Sequence, residues 1–180
     1  MSMEQLSSRV VYQNRWMTVR EDQIRRPDGS DGIYGVIDKP AFSIIAPYER
    51  GGLWLVEQYR YTLGARYWEF PQGTFPERRE GAPEDVARAE LAEECGLAAA
   101  SMMYLGRLFN APGMSSQACH AFAATDLSPT HADHDAEETD LRAAWFLRPE
   151  VEAMILDGRI VDASTIAAYT LARLRKAFPV

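Results

Sequence analysis

Along the first sixty residues the apolar positions come in short runs broken by turn residues. The runs at 10–12, 16–24, 33–37, 42–46 and 53–59 contain Val, Ile, Leu, Tyr, Trp and Phe, with Pro27-Asp28-Gly29 and Gly51-Gly52 between them. β-Branched and aromatic residues fit a pleated, half-buried surface, and Gly and Pro supply turns, so this region predicts antiparallel strands. After Pro83 the apolar period lengthens to that of a helix: Ala87, Leu91, Cys95 and Ala98 recur every three or four residues. Pro83 suits the first turn of that helix, and Gly96 a left-handed stop. Further strands are predicted at 102–109, 119–124 and 141–146. Pro149 opens a short helix closed by Gly158. Asp162 caps a last helix whose expected buried stripe is Ala163, Ile166, Ala167, Thr170, Leu171, Leu174 and Phe178. Strands and helices mix without strict βαβ alternation, so the expected class is α+β, with helices packed on a mixed sheet.

Composition narrows the picture. At 180 residues, 47% of them hydrophobic, the chain is long enough for a core and short enough that one domain is the default. A formal net charge of −7 argues against broad binding to nucleic acid or to an anionic membrane surface. No run approaches the roughly 20 apolar residues that span a bilayer, and the opening MSMEQLSSR lacks the apolar stretch of a signal peptide. A cytoplasmic protein is expected. Cys95 and Cys119 are too few and too far apart for a disulfide framework or a thiolate zinc site, so both are expected as small core residues in a reducing compartment.

The helix after Pro83 carries the candidate chemistry. At 100° per residue, Glu94 lies roughly 40° from Glu90 around the helix and Glu93 about 60° to its other side, so three carboxylates share one face. Like charges at this spacing repel unless a cation sits among them. Hard carboxylate oxygens without nearby imidazole or thiolate partners select magnesium, manganese or calcium over zinc. Such an ion can bridge an anionic helix to an anionic phosphate, polarise the phosphoryl group and acidify a water. The ordinary alternative is a solvated acidic face, which is what most Glu-rich helix faces are. The residues flanking the helix decide between the two.

The stretch GTFPERREGAPEDVARAELAEECGL, residues 73–97, resembles the Nudix box: a Gly, a Glu after five residues, then REUxEExGU after seven more. Glu90 to Leu97 follow the second half position by position. Ala89 stands in place of the box Arg, and the loop before Glu90 is two residues longer, which leaves the upstream Glu open between Glu77 and Glu80. Arg88 cannot point the same way as a residue at 89, so it is not expected to replace the missing Arg fully. Resemblance extends over nearly the whole chain. VEQYRY (56–61) followed by WEFPQG (68–73) looks like the strand pair before the box in ADP-ribose pyrophosphatases and related nucleotide-sugar hydrolases. Ala111-Pro112-Gly113-Met114-Ser115 resembles their Pro-Gly loop. The resemblance implies a single domain, 1–180, with a mixed sheet sandwiched between helices: N-terminal strands over 1–47, as a candidate dimer-forming region, and a catalytic core over 48–180.

Hydrolysis of the pyrophosphate of a nucleoside diphosphate derivative, ADP-ribose or another nucleotide sugar, is what the resemblance implies. It places Mg2+, or Mn2+, on Glu90, Glu94, Glu93 and the Gln72 carbonyl, and substrate on Arg60, Glu69, Pro112 and Gly113. By the same resemblance the general base lies on a loop well after the box, here the acidic segment 133–140, with Glu138 first choice, Glu137 second, and Glu93 as fallback. A disordered acidic loop is the plain alternative for that segment. His120, His131 and His134 lack metal-ligand spacing. Tyr12, Trp16, Tyr34, Tyr59 and Trp68 are candidate platforms for a nucleobase, and each could equally be core or interface. Similar enzymes pack their N-terminal strands across a homodimer, which is implied here by resemblance only. Phe70-Pro71-Gln72-Gly73 is also similar to dinucleoside polyphosphate and RNA 5′-end pyrophosphohydrolases, and Ala89 with the longer loop makes a non-catalytic nucleotide-binding module the second rival.

Overall fold

The structure is a computed structural model that describes residues 2–74, 82–130 and 140–178. The chain divides into two compact units, Met1–Ala41 with Phe109–Ala118, and Phe42–Leu108 with Cys119–Val180.

The first unit is a three-stranded antiparallel sheet, β1 (Glu4–Gln13), β2 (Thr18–Arg25) and β3 (Asp31–Asp38), in the order β1-β2-β3. Short polar side chains close its turns. Asn14 Oδ1 accepts the backbone N–H groups of Trp16 and Met17 (2.8 and 2.9 Å), and Asp28 Oδ1 accepts that of Ser30 (2.9 Å). β1 is exposed along its whole length. It begins six residues earlier than the run at 10–12 suggests, because Glu4 to Arg9 pair with β2 through main-chain bonds that need no apolar alternation.

The second unit is built on β4 (Phe42–Glu49), β5 (Gly52–Arg60), β6 (Ala65–Glu69), β7 (Gln72–Gly73), β8 (Leu97–Phe109), β9 (Ala118–Pro129, of which Ala118 falls in the first unit) and β10 (Arg142–Leu147). Three helices join them: α1 (Pro83–Cys95), α2 (Arg148–Leu156) and α3 (Ala163–Leu174). The sheet order is β10-β5-β4-β9-β8, with β6 beside β5 and β7 beside β4. β4 and β9 run parallel, while β4–β5, β5–β6, β4–β7 and β5–β10 are antiparallel, so the sheet is mixed as expected.

Alternation along β4 and β9 assigns the two faces. Ile45, Phe122 and Ala124 pack with Ala87 and Leu91 of α1 and with Leu97. Ile44, Ala46, Cys119, Ala121 and Ala123 pack with Val151 and Met154 of α2 and Ala168, Tyr169 and Ala172 of α3. The sheet therefore lies between α1 on one side and α2 and α3 on the other. Leu91 is fully buried, which stabilises the docking of α1 by about 2 kcal/mol. Gly96, at φ 64°, ends α1 by donating its N–H to the carbonyls of Ala92 and Leu91.

The buried stripe of α3 differs from the expected one. Its buried residues are Ser164, Thr165, Ala168, Tyr169 and Ala172; of the expected stripe, Phe178 is buried and Ile166 and Leu171 pack against the core, while Ala163, Thr170 and Leu174 face solvent. Thr165 is buried because its Oγ1 accepts the N–H of Phe70 (3.0 Å), which would cost stability if left unpaired in the interior. β8 also starts five residues early, directly after Gly96, where Ala98-Ala99-Ala100 carries no strand signal.

Candidate active site

The site is assembled where β7 meets α1. Gly73 has no side chain, and the carboxylate of Glu90 occupies that space: a Cβ on Gly73 would lie 2.3 Å from Glu90 Oε1. One residue back, the Gln72 N–H donates to Glu94 Oε2 (3.0 Å). β7 is held in turn by β4, in the register Ser43↔Gly73 and Ile44↔Gln72, and the Ser43 hydroxyl donates to the Pro83 carbonyl at the start of α1 (2.7 Å). Strand and helix are thus pinned at the same place. Glu90 and Glu94 are both buried, at 8% and 2% exposure. Removing two carboxylates one turn apart from water raises the cost of leaving their charge uncompensated. Glu93, on the same helix, is half-buried. Among the described residues no three His, Cys, Asp or Glu side chains converge as a preformed metal cage. What the structure does bring together is two buried carboxylates seated against the main chain of 72–73, and carboxylate oxygens are the donors that suit a hard divalent ion.

A second polar group adjoins the first. Arg60, at the end of β5, donates through Nε to Glu69 Oε2 (3.1 Å) and through Nη2 to Glu69 Oε1, and Gln58 Nε2 donates to the same Oε1 (2.8 Å). Burial pushes the Glu69 carboxyl above the ordinary carboxylate range, against the opposing pull of Arg60. The Arg60 side chain is 39% exposed while its partner is 2% exposed, so the pair presents a cationic face outward from a buried carboxylate. Further along β5, Glu57 accepts from Arg66 Nε and Arg142 Nε, each at 2.8 Å.

The remaining expected residues belong to the first unit, lie outside the described residues or make other contacts. Pro112 and Gly113 belong to the first unit, where Ala111 accepts the N–H groups of Met114 and Ser115 (2.9 and 2.8 Å) and the Tyr34 hydroxyl donates to the Gly113 carbonyl (2.7 Å). Glu137, Glu138, Glu77, Glu80, His131 and His134 lie outside the described residues. Arg88 turns away from the carboxylates, donating to Glu84 (2.7 Å) and to the Ala99 carbonyl (2.7 Å), so it does not stand in for the Arg absent at 89. Trp68 packs edge-on against Phe146, with ring centroids 4.8 Å apart, as part of the core, whereas Tyr12, Trp16 and Tyr59 are exposed. His120 stacks obliquely on Tyr104 and contacts its hydroxyl (3.2 Å). Sequence reasoning missed one participant. Asp162 was read only as a helix cap, yet its Oδ2 also accepts from Gln72 Nε2 (3.2 Å), a contact across 90 residues with no local signature.

Fold and site together are a mixed sheet between helices with two buried carboxylates and an arginine–glutamate pair. Residues 38–169 match the NUDIX domain, and residues 3–37 match the nucleoside diphosphate sugar hydrolase N-terminal domain. The chain belongs to the Nudix family. It is 34% identical to the ADP-ribose pyrophosphatase of Mycobacterium tuberculosis, over 91% of this chain and 80% of that protein. It is 23% identical to the ADP-ribose pyrophosphatase of Bacillus subtilis, over 93% and 90% of the two chains. The methanol dehydrogenase activator of Bacillus methanolicus is 25% identical over the same shares. Among solved structures, an ADP compounds hydrolase superposes with a TM-score of 0.86 over 97% of this chain and 94% of that one, at 21% identity, a likeness of fold.

Proposed function

We propose that this protein hydrolyses the pyrophosphate of a nucleoside diphosphate derivative, with ADP-ribose as the first substrate to test. The observation that carries the reading is the seating of Glu90 and Glu94 against the main chain of Gln72 and Gly73, which turns an acidic helix face into a buried, directed pair of carboxylates. The nucleotide-sugar class rests on the N-terminal match at residues 3–37 and on the two ADP-ribose pyrophosphatases among the relatives.

Nudix hydrolases use divalent metal ions, and here Glu90 and Glu94, with Glu93 and the Gln72 carbonyl, would hold Mg2+ or Mn2+. A bound ion of this kind neutralises phosphate charge and acidifies a water. The chain's own residues do the rest. Arg60 spends Nε and Nη2 on Glu69, which fixes the guanidinium plane and leaves its outer edge for a phosphate oxygen. Gln58 and Arg60 together keep Glu69 in place behind that edge. Pro112 and Gly113 are proposed to border the sugar. The proton of the attacking water goes to Glu138, Glu137 or Glu93, in that order of preference. We further propose a homodimer formed through the N-terminal strands, one catalytic domain over 1–180, and a cytoplasmic setting in which Cys95 and Cys119 stay as thiols. No helix of the described residues is long and apolar enough to cross a membrane.

A panel assay with ADP-ribose, GDP-mannose and a dinucleoside tetraphosphate, each with and without magnesium, tests the substrate class. Preference for the tetraphosphate would favour the rival reading suggested by Phe70-Pro71-Gln72-Gly73. Glu94→Gln is expected to lower kcat by two or more orders of magnitude with an unchanged fold by circular dichroism. Near wild-type turnover in that variant sinks the proposed site, and absence of turnover of every substrate by the wild type leaves the binding-module reading.

A further inference from the structure

The segment entering the box is held from two directions. On one side β4 grips it, with the Ile45 N–H donating to the Pro71 carbonyl (3.0 Å). On the other side it meets the first turn of α3. The Phe70 N–H donates to Thr165 Oγ1 (3.0 Å), that hydroxyl donates to Asp162 Oδ2 (2.8 Å), and Gln72 Nε2 donates to the same oxygen (3.2 Å). The Thr165 N–H adds a third donor to it (2.8 Å). Capping α3 requires only this last bond. The bond from Gln72 does nothing for the helix, but it fixes the residue whose main-chain N–H reaches Glu94 Oε2 (3.0 Å) and whose neighbour, Gly73, seats Glu90.

We infer that Asp162 is a positioning residue for the box carboxylates, acting through the side-chain amide of Gln72. Phe70 and Thr165 are fully buried, and Glu69 beside them is almost so, which leaves the segment little water to exchange these bonds with. Through its bond to Asp162 the amide ties the 72–73 main chain to the first turn of α3. Groups behind metal ligands set ligand orientation and thereby affinity. The inference rests on the reading that Glu90 and Glu94 hold a divalent ion.

The test is titration of the full-length protein with Mn2+ alone, free ion being read by electron paramagnetic resonance, with melting temperature measured on the same samples. Gln72→Ala removes the amide but keeps the main-chain N–H. Asp162→Ser keeps the helix cap but is too short to reach Gln72, and Asp162→Asn keeps both. Gln72→Ala and Asp162→Ser are each expected to weaken Mn2+ binding about tenfold, Asp162→Asn by less than about threefold, and the double variant no more than the weaker single one. Wild-type affinity in either of the first two, or losses that multiply in the double variant, overturns the inference. Glu94→Gln separates the two levels of the argument. If it loses Mn2+ while Gln72→Ala does not, the positioning role fails and the metal site stands; if it binds as wild type does, the metal reading fails and the positioning role with it.

Discussion

At the scale of single residues, the site depends on an absence as much as on a charge. The space beside Gly73 that any other residue would fill with Cβ is filled by the Glu90 carboxylate. Gly73→Ala therefore sets a methyl group against the movable end of a side chain, and the side chain yields before the backbone does. The expected outcome is a melting temperature within about 2 °C of wild type and a kcat/KM lowered on the order of tenfold to a hundredfold. A fully active variant would show that Glu90 is not seated there, and one that unfolds would show that the side chain does not yield. Glu90 and Glu94 were legible in the sequence because helical periodicity places them on one face whatever the tertiary fold. The resemblance supplied Arg60 and Glu69, which the structure joins through two of the three guanidinium nitrogens. The bond from Gln72 to Asp162 was not legible: it links side chains 90 residues apart, and no period or spacing along the chain encodes it.

At the scale of elements, Glu57 joins three strands. It sits on β5, accepts from Arg66 on β6 and Arg142 on β10, and is itself nearly buried. Burial alone would raise its pKa, but the hydrogen bonds from Arg66 and Arg142 together hold it below the ordinary glutamate range. A carboxyl whose folded pKa is depressed contributes stability above its unfolded value, and that contribution drains away as pH falls through the folded one. Glu57→Gln is thus expected to lower the melting temperature by about 2–4 °C at neutral pH. Acidification from about pH 5 to about pH 3 should then lower it less than in wild type, since one titrating group has been lost. Parallel melting curves for the two proteins across that range would contradict the assignment. Element existence was largely written in local chemistry: α1 runs from Pro83 to the residue before Gly96, and α2 lies between the breakers at 149 and 158 as expected, within a residue or two. β7 was invisible as a strand, being two residues long and defined only by its partner β4. The face of α3 was legible in part: Ile166, Leu171 and Phe178 pack on the core as expected, but the hydroxyl at 165 is buried to serve the Phe70 N–H, and hydrophobic periodicity does not count hydrogen bonds.

At the scale of the whole molecule, the open question of assembly turns on β1. It is an edge strand of the first unit's sheet, exposed over all ten residues, and Leu6, Val10, Val11 and Tyr12 along it are among the exposed large hydrophobic side chains of the chain. A long edge with unpaired main-chain groups and apolar side chains on both faces invites another strand, and soluble proteins cover or charge such edges. With a net charge of −7 on each chain, long-range electrostatics oppose association, so the proposed contact would be held by apolar burial and main-chain pairing. That reasoning chooses the test. Val10→Lys with Val11→Lys replaces two exposed apolar side chains where β1 departs from regular pairing with β2, and it makes the chain less negative, so any dissociation it causes does not come from added long-range repulsion. Light scattering is expected to give twice the 20.2 kDa chain mass for wild type and the single-chain mass for the double variant. A wild-type protein that already runs as a single chain would remove the dimer from the proposal and leave the metal site proposed on α1, which lies wholly in the other unit, untouched.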